Sequence, residues 1–184
     1  MAEKSNSVGR LVSGNTPAAH LARGARTVAR PYHHGNLRNA LIDAAVALVD
    51  LHGPQALTLR EAARRAGVSQ TAPYRHFADR DALVAAVAAD GFLMLLEDLG
   101  DGLSATSLKA ERLGALTEAY VRFARDNPGR FALMFSPALA MDDATLANNR
   151  AALTDFLEEA LGRMVARDAW PAMHGKASLV LAGF

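Results

Sequence analysis

The sequence predicts an all-α fold, and three observations carry that prediction. Among its 184 residues are 39 Ala and 25 Leu against 11 Val and a single Ile, Ile42, so good helix formers swamp the β-branched residues that sheets prefer. Apolar residues recur at spacings of three and four in most of the chain beyond Pro31, the period of a helix face. Helix start and stop signals punctuate these segments at intervals of a short helix or more. The length fits one compact body, or a small module fused to a larger one, and 51% hydrophobic with 21% charged residues is ordinary globular composition. With no cysteine in the chain, disulfides, zinc-thiolate sites and thiol nucleophiles are excluded. The longest apolar run, Ala82 to Ala89, falls short of the roughly 18 residues of a membrane span. The first thirty residues lack the apolar core of a secretory signal. A soluble protein of the cytoplasm, with no membrane partner, is the expectation.

Taken in order, residues 1–30 are rich in Ser, Gly, Ala, Asn and Arg with no helical stripe, and read as a disordered basic arm. Leu37, Leu41, Ala44, Ala45, Leu48 and Val49 make the apolar face of a first helix, which Gly53-Pro54 ends. Thr58-Leu59-Arg60-Glu61 is a capping box: the threonine caps the third helical amide and the glutamate reaches back to the amide of residue 58. The short helix it starts runs to Gly67, where a tight reversal leads to Ser69 as N-cap of another helix over Gln70 to about Phe77. Small Ala63, four residues before Gly67, lets the two helices cross closely, as a helix-turn-helix requires. Asp79 then caps a connecting helix of about twenty residues whose apolar face runs from Leu83 to Leu99, ending at Gly100-Asp101-Gly102. Further helices are expected over Leu108 to Asp126, Arg130 to Phe135, Asp143 to about Arg167, and about Ala169 to the end.

The formal net charge of +1 hides an asymmetry. Residues 1–80 hold 11 Lys or Arg against 5 Asp or Glu, a balance of +6; residues 81–184 hold 9 against 14, a balance of −5. A basic front and an acidic back suggest that the front alone meets a polyanion. The second motif helix fits that role, because Gln70, Thr71, Tyr74, Arg75 and His76 can all hydrogen-bond while Ala72, Pro73 and Phe77 offer little but packing.

The run LTLREAARRAGVSQTAPYRHFADRDALVAAV from Leu57 to Val87 resembles the DNA-binding domain of the tetracycline-repressor-like (TetR/AcrR) regulators, and YHHGNLRNALIDAA from Tyr32 to Ala45 is similar to their first helix. Farther on, Trp170-Pro171-Ala172-Met173-His174-Gly175 is similar to a Trp-x-x-x-His-Gly pattern in one branch of that family. The resemblance implies a three-helix helix-turn-helix DNA-binding domain over residues 31–80. A connecting helix joins it to a helical ligand-binding and dimerisation domain over 81–184. The implied partners are double-stranded operator DNA, a small hydrophobic or amphipathic effector, and a second copy of the chain, with the two recognition helices about 34 Å apart on a near-palindrome.

Within that resemblance, Gln70, Thr71 and Arg75 are the candidates for base edges: Gln pairs with adenine, Arg bidentately with guanine, Thr with polar edges or a thymine methyl. Thr58, at a helix N-terminus, Tyr74, His76, Arg80 and His34 are candidates for phosphates. Arg80 stands where the family usually has Lys and keeps the charge. Arg23, Arg26 and Arg30 of the arm would add salt-dependent affinity. Phe92, Leu95, Tyr120, Phe123, Met134, Phe135, Trp170 and His174 are candidates to line an effector cavity among the helices, with plain core packing as the alternative for more than half of them.

No cofactor or metal is expected, since neighbouring His33 and His34 lack a partner at helical ligand spacing. The leading reading is a repressor released from its operator by a small molecule. A ligand-independent regulator or an activator of the same fold is the alternative. An all-α enzyme using the cavity is the rival of another class, although no paired carboxylates, metal ligands or nucleophile spacing support it. The apolar ending from Ala177 to Phe184 raises the further expectation of a chain cut short within its dimerisation region.

Overall fold

The computed structural model describes residues 37–136, 139 and 143–184. Among them are seven α-helices and no strand: α1 (Leu37–His52), α2 (Leu59–Arg65), α3 (Arg80–Ser104), α4 (Arg112–Asp126), α5 (Pro128–Met134), α6 (Ala144–Leu161) and α7 (Arg163–Leu181). The arm, and with it His33, His34, Arg23, Arg26 and Arg30, lies outside the described residues.

Most of the local signals act as read. Gly53, at φ 77°, follows the end of α1, and its N–H reaches the carbonyl of Val49 at 2.8 Å. Thr58 caps α2 by accepting the amide of Glu61 at 3.1 Å. Only half of the expected capping box forms, however, because the Glu61 carboxylate turns to Arg64, whose Nε donates to it at 2.9 Å. That pairing holds the Glu61 carboxyl below its ordinary range and raises Arg64. Gly67, at φ 69°, closes α2; the N–H of Val68 returns to Ala63 O at 3.0 Å and that of Gly67 to Arg64 O at 3.3 Å, the paired bonds of a glycine-ended helix. Asp79 caps α3 through the amide of Ala82 at 2.8 Å, and Asp143 caps α6 through Leu146 at 2.7 Å.

Four elements differ from the sequence expectation. The second motif helix is a single 3₁₀ turn, Ala72–Arg75, since Pro73 has no N–H to close an α-helical bond onto Ser69; Ala72 N–H takes the Ser69 carbonyl instead, at 3.0 Å. Ser69 is therefore not its N-cap, and its hydroxyl lies 3.3 Å from that of Thr71. Helix α3 runs through Gly100 and Gly102 for 25 residues. Tertiary contact outweighs the glycine penalty there: a Cβ at 102 would stand 3.0 Å from Ala119 Cβ, so glycine allows α4 to approach. What reads as one helix from Asp143 to about Arg167 is broken at Gly162, at φ 85°, into α6 and α7. Pro171 consequently falls inside α7 rather than in its first turn.

Helix α3 is central, packed by α4, α5 and α6, while α7 lies against α4 and α6, and α1 touches α2, α3 and α5. One buried apolar cluster extends from Leu41 in α1 through Phe92 and Leu95 to Ala177 in α7. The small helix-turn-helix unit thus shares its core with the larger bundle, a bigger store of buried area than some fifty residues could assemble alone.

Candidate functional site

Two places in this fold gather the polar chemistry expected from the sequence. The first is the reversal after α2. Pro73 is buried and Phe77 is 3% exposed, with the Arg38 guanidinium 5.6 Å from the Phe77 ring centre. These anchors fix which way the turn faces. Gln70, Thr71, Tyr74, Arg75 and His76 are all exposed on the opposite side. The surface they form is rigidly backed and hydrogen-bonding, as a reader of base edges must be.

Beside it, Thr58, Arg60, Tyr74 and Arg80 border a cleft of ≈ 380 Å³ between the starts of α2 and α3. The Thr58 hydroxyl oxygen is occupied as a cap, but its proton remains to donate outward. Arg80 is more committed than its sequence suggested. Its Nε donates to Leu57 O at 3.0 Å, Nη2 to Pro54 O at 3.2 Å and Nη1 to Asp81 Oδ1 at 3.2 Å. It ties the start of α3 to the α1–α2 connection and turns only its remaining N–H groups to the cleft. Arg60, which the sequence reasoning passed over, is exposed in the same cleft. Its place two residues after the Thr58 cap was the available signal.

The second place is an aromatic cluster inside the bundle. Tyr120 of α4 is fully buried, and its hydroxyl lies 3.0 Å from Nδ1 of His174 on α7. Phe131 of α5 stacks on His174 at 5.3 Å, and Phe135 lies 4.4 Å from the same ring. Trp170, one turn before His174, meets Tyr120 and Phe135 edge-on at 6.1 and 6.4 Å. Burial lowers the pKa of His174 and pushes the Tyr120 phenol well above its ordinary value, so burial favours the neutral form of both.

Phe135 and Trp170 also wall an open cavity of ≈ 460 Å³, whose other side is α6, with Leu146, Ala147, Arg150, Ala151 and Thr154. Of the residues expected to line a cavity, Phe135 and Trp170 border this one. Phe92, Leu95, Tyr120, Phe123 and Met134 are at most 2% exposed and belong to the core, while half-buried His174 stands behind the aromatic wall. The α6 side was missed, because Ala, Arg and Thr at helical spacing look like any solvated face. Among the described residues there is no group of three or more His, Asp or Glu able to hold a metal, and no helix long and apolar enough to cross a membrane.

Short helix α5 connects these two regions. Its first turn reaches α1, where Gly129 N–H donates to Asp50. Arg130, 6% exposed, forms an ion pair with Asp90 on α3. Met134 packs where a Cβ at Gly91 would stand 2.8 Å from its Cγ, and Phe135 follows directly into the cavity wall.

The comparisons with known proteins agree with this architecture. Residues 41–87 match the family described as bacterial regulatory proteins, tetR family, and residues 113–184 match the tetracyclin repressor-like C-terminal domain. A protein of unknown function from Rhodococcus sp. RHA1 is 32% identical, with a TM-score of 0.72 over 84% of this chain and 87% of its own. Two more distant structures share the fold. One is the fatty acid degradation regulator FadR from Bacillus halodurans, with 14% identity, a TM-score of 0.66, and 79% and 84% coverage. The other is the TetR family regulator PfmR from Thermus thermophilus, with 17% identity, a TM-score of 0.62, and 77% and 84% coverage. No curated protein matches the chain significantly. With both halves matched and the exposed helix-turn-helix in place, the chain belongs to the tetR family of bacterial regulatory proteins: it is a DNA-binding transcriptional regulator and not an enzyme.

Proposed function

We propose that the protein is a homodimeric repressor that leaves a near-palindromic operator when a small hydrophobic or amphipathic molecule occupies the cavity between α5, α6 and α7. Gln70, Thr71 and Arg75 read base edges. Thr58, Tyr74, His76, Arg80 and, beside them in the same cleft, Arg60 hold phosphates, with His34 adding to them from outside the described residues. Residues 31–80 form the DNA-binding domain and 81–184 the effector and dimerisation domain. The observation that carries the DNA-reading part is the outward row from Gln70 to His76 over buried Pro73 and Phe77.

Release is supported by the continuity of α5, which meets α1 at one end and the cavity wall at the other. An effector acts only through the difference in its affinity for the two states, and moving the protein from mostly bound to mostly free takes roughly 5 kcal/mol of preference. Pairing of two copies is supported by the outer face of α4 and α7, where Leu113, Met164 and Val165 are exposed beside a groove of ≈ 550 Å³. Selection of DNA from a random pool tests the reading. An inverted repeat with half-sites one helical turn apart, or a multiple of it, is the expected product; enrichment of no sequence at moderate salt would refute it.

A further inference from the structure

Helix α7 carries a self-complementary outer face. We infer that two copies of the chain pair by laying α7 antiparallel on the α7 of the partner subunit, with the two-fold axis at Ala172. This rests on the proposal that the protein is a homodimer, and adds which helix pairs, in which direction and in which register.

The pattern follows from helix geometry. Positions three, four and seven away from a residue return to its side of the helix, within about 60° of it. Around Ala172 these are Ala169 and Gly175, Asp168 and Lys176, Val165 and Leu179. Ala172, Gly175, Asp168 and Lys176 are exposed, and so are Val165 and Leu179, at 47% and 57%. One stripe therefore carries two large apolar side chains at equal distances from a small residue, with one charge of each sign between them.

An antiparallel two-fold pair sets each residue before Ala172 level with the residue equally far after it on the other copy. Val165 then meets Leu179 of the partner subunit, and Asp168 meets Lys176 of the partner subunit, each contact occurring twice. Neither Asp168 nor Lys176 forms an ion pair among the described residues. Parallel pairing in register would set aspartate on aspartate and lysine on lysine, so the charges select the antiparallel direction. Ala169, Ala172 and Gly175 have little or no side chain, which lets the two backbones approach and the long lysine reach across. The groove beside this face, bordered on the α4 side by Leu113 and Thr117, receives the flank of the second helix. A partner of another sequence would have to reproduce both charges in reversed order, whereas a second copy does so by symmetry.

The chain has no cysteine, so a single introduced one reports on its own position. Ala172→Cys places a thiol on the axis, facing its own copy within the Cα separation of up to about 7 Å that a disulfide spans. Mild oxidation of this full-length variant is expected to link it into dimers. Ser178→Cys, turned about 120° away on α7, is expected to stay unlinked. Sedimentation equilibrium supplies the second arm. Asp168→Lys and Lys176→Asp each set like charges together twice and should raise the dimer dissociation constant about tenfold or more. The double variant, with the charges exchanged, should return close to the wild type. Equal linking of the two cysteine variants, no linking by Ala172→Cys, single reversals that leave the dimer unchanged, or a double variant as weak as the singles overturns the inference. Any of these results with a dimeric wild type leaves the homodimer standing and refutes the register. A wild-type chain that sediments as a monomer at micromolar concentration refutes both.

Discussion

The carboxylate of Asp50 on α1 accepts the backbone N–H of Gly129, 2.7 Å away at the start of α5. These residues are 79 positions apart in the chain, and their contact joins a helix of the DNA-reading unit to the element that ends in the cavity wall. A Cβ at 129 would overlap Asp50 Oδ1 and lie 3.0 Å from the Asp50 backbone nitrogen, so glycine is required by proximity rather than by backbone conformation.

Asp50→Ala leaves the Gly129 amide without its acceptor and should cost about 1–2 kcal/mol in urea unfolding. Gly129→Ala forces α1 and α5 apart at a cost of about 1–3 kcal/mol. If α5 transmits occupancy, Asp50→Ala will also bind an effector with nearly unchanged affinity while releasing operator poorly. Parallel calorimetry and DNA anisotropy measure both quantities.

Arg75 is exposed and distant from the core, so Arg75→Ala should leave the thermal midpoint in place while reducing specific DNA affinity by about 1–3 kcal/mol and relaxing preference at one base pair. Arg60→Ala should weaken binding to all sequences alike and lower the salt slope by about one. A melting temperature that falls with Arg75→Ala would mean a structural role in place of a reading one.

The Asp90–Arg130 pair is asymmetric: the arginine side chain is 8% exposed and the aspartate 38%, and Arg130 Nε finds no acceptor among the described residues. Asp90→Ala strands a buried cation and should cost about 3–5 kcal/mol. Arg130→Met leaves only a half-exposed carboxylate, which water can solvate, and should cost distinctly less. Denaturant midpoints of the two variants, compared at equal slope, decide the order.

Burial depresses the pKa of His174, so the unfolded chain takes up the proton at a higher pH than the folded one. The sign follows: the stability contributed by neutral His174 is complete above the unfolded value of about 6.5 and declines as pH falls below it toward the folded value. Thermal midpoints should drop more steeply from pH 7 to pH 5 in the wild type than in His174→Gln. Identical slopes would show that the imidazole does not carry the effect.

Features that depend on neighbours three to five residues apart are legible in the amino-acid order alone. The caps at Thr58, Asp79 and Asp143, the reversal at Gly67 and the stop at Gly53 are all contacts of that range, and with the 3.6-residue period they define an all-α chain with an exposed helix-turn-helix. Even there Pro73 tightened the reading turn to 3₁₀, a covalent effect visible in the sequence but outweighed in it by the helical pattern. The remaining features come from how whole helices pack. That packing carried α3 through Gly100 and Gly102 because α4 packs there, bound Arg80 to backbone carbonyls of the α1–α2 connection, sent most of the large apolar candidates into the core, and set Arg150 of α6 opposite Trp170 of α7. A cavity and a clamp are made of residues distant in sequence, whose meeting depends on how whole helices pack, and no local pattern encodes that distance.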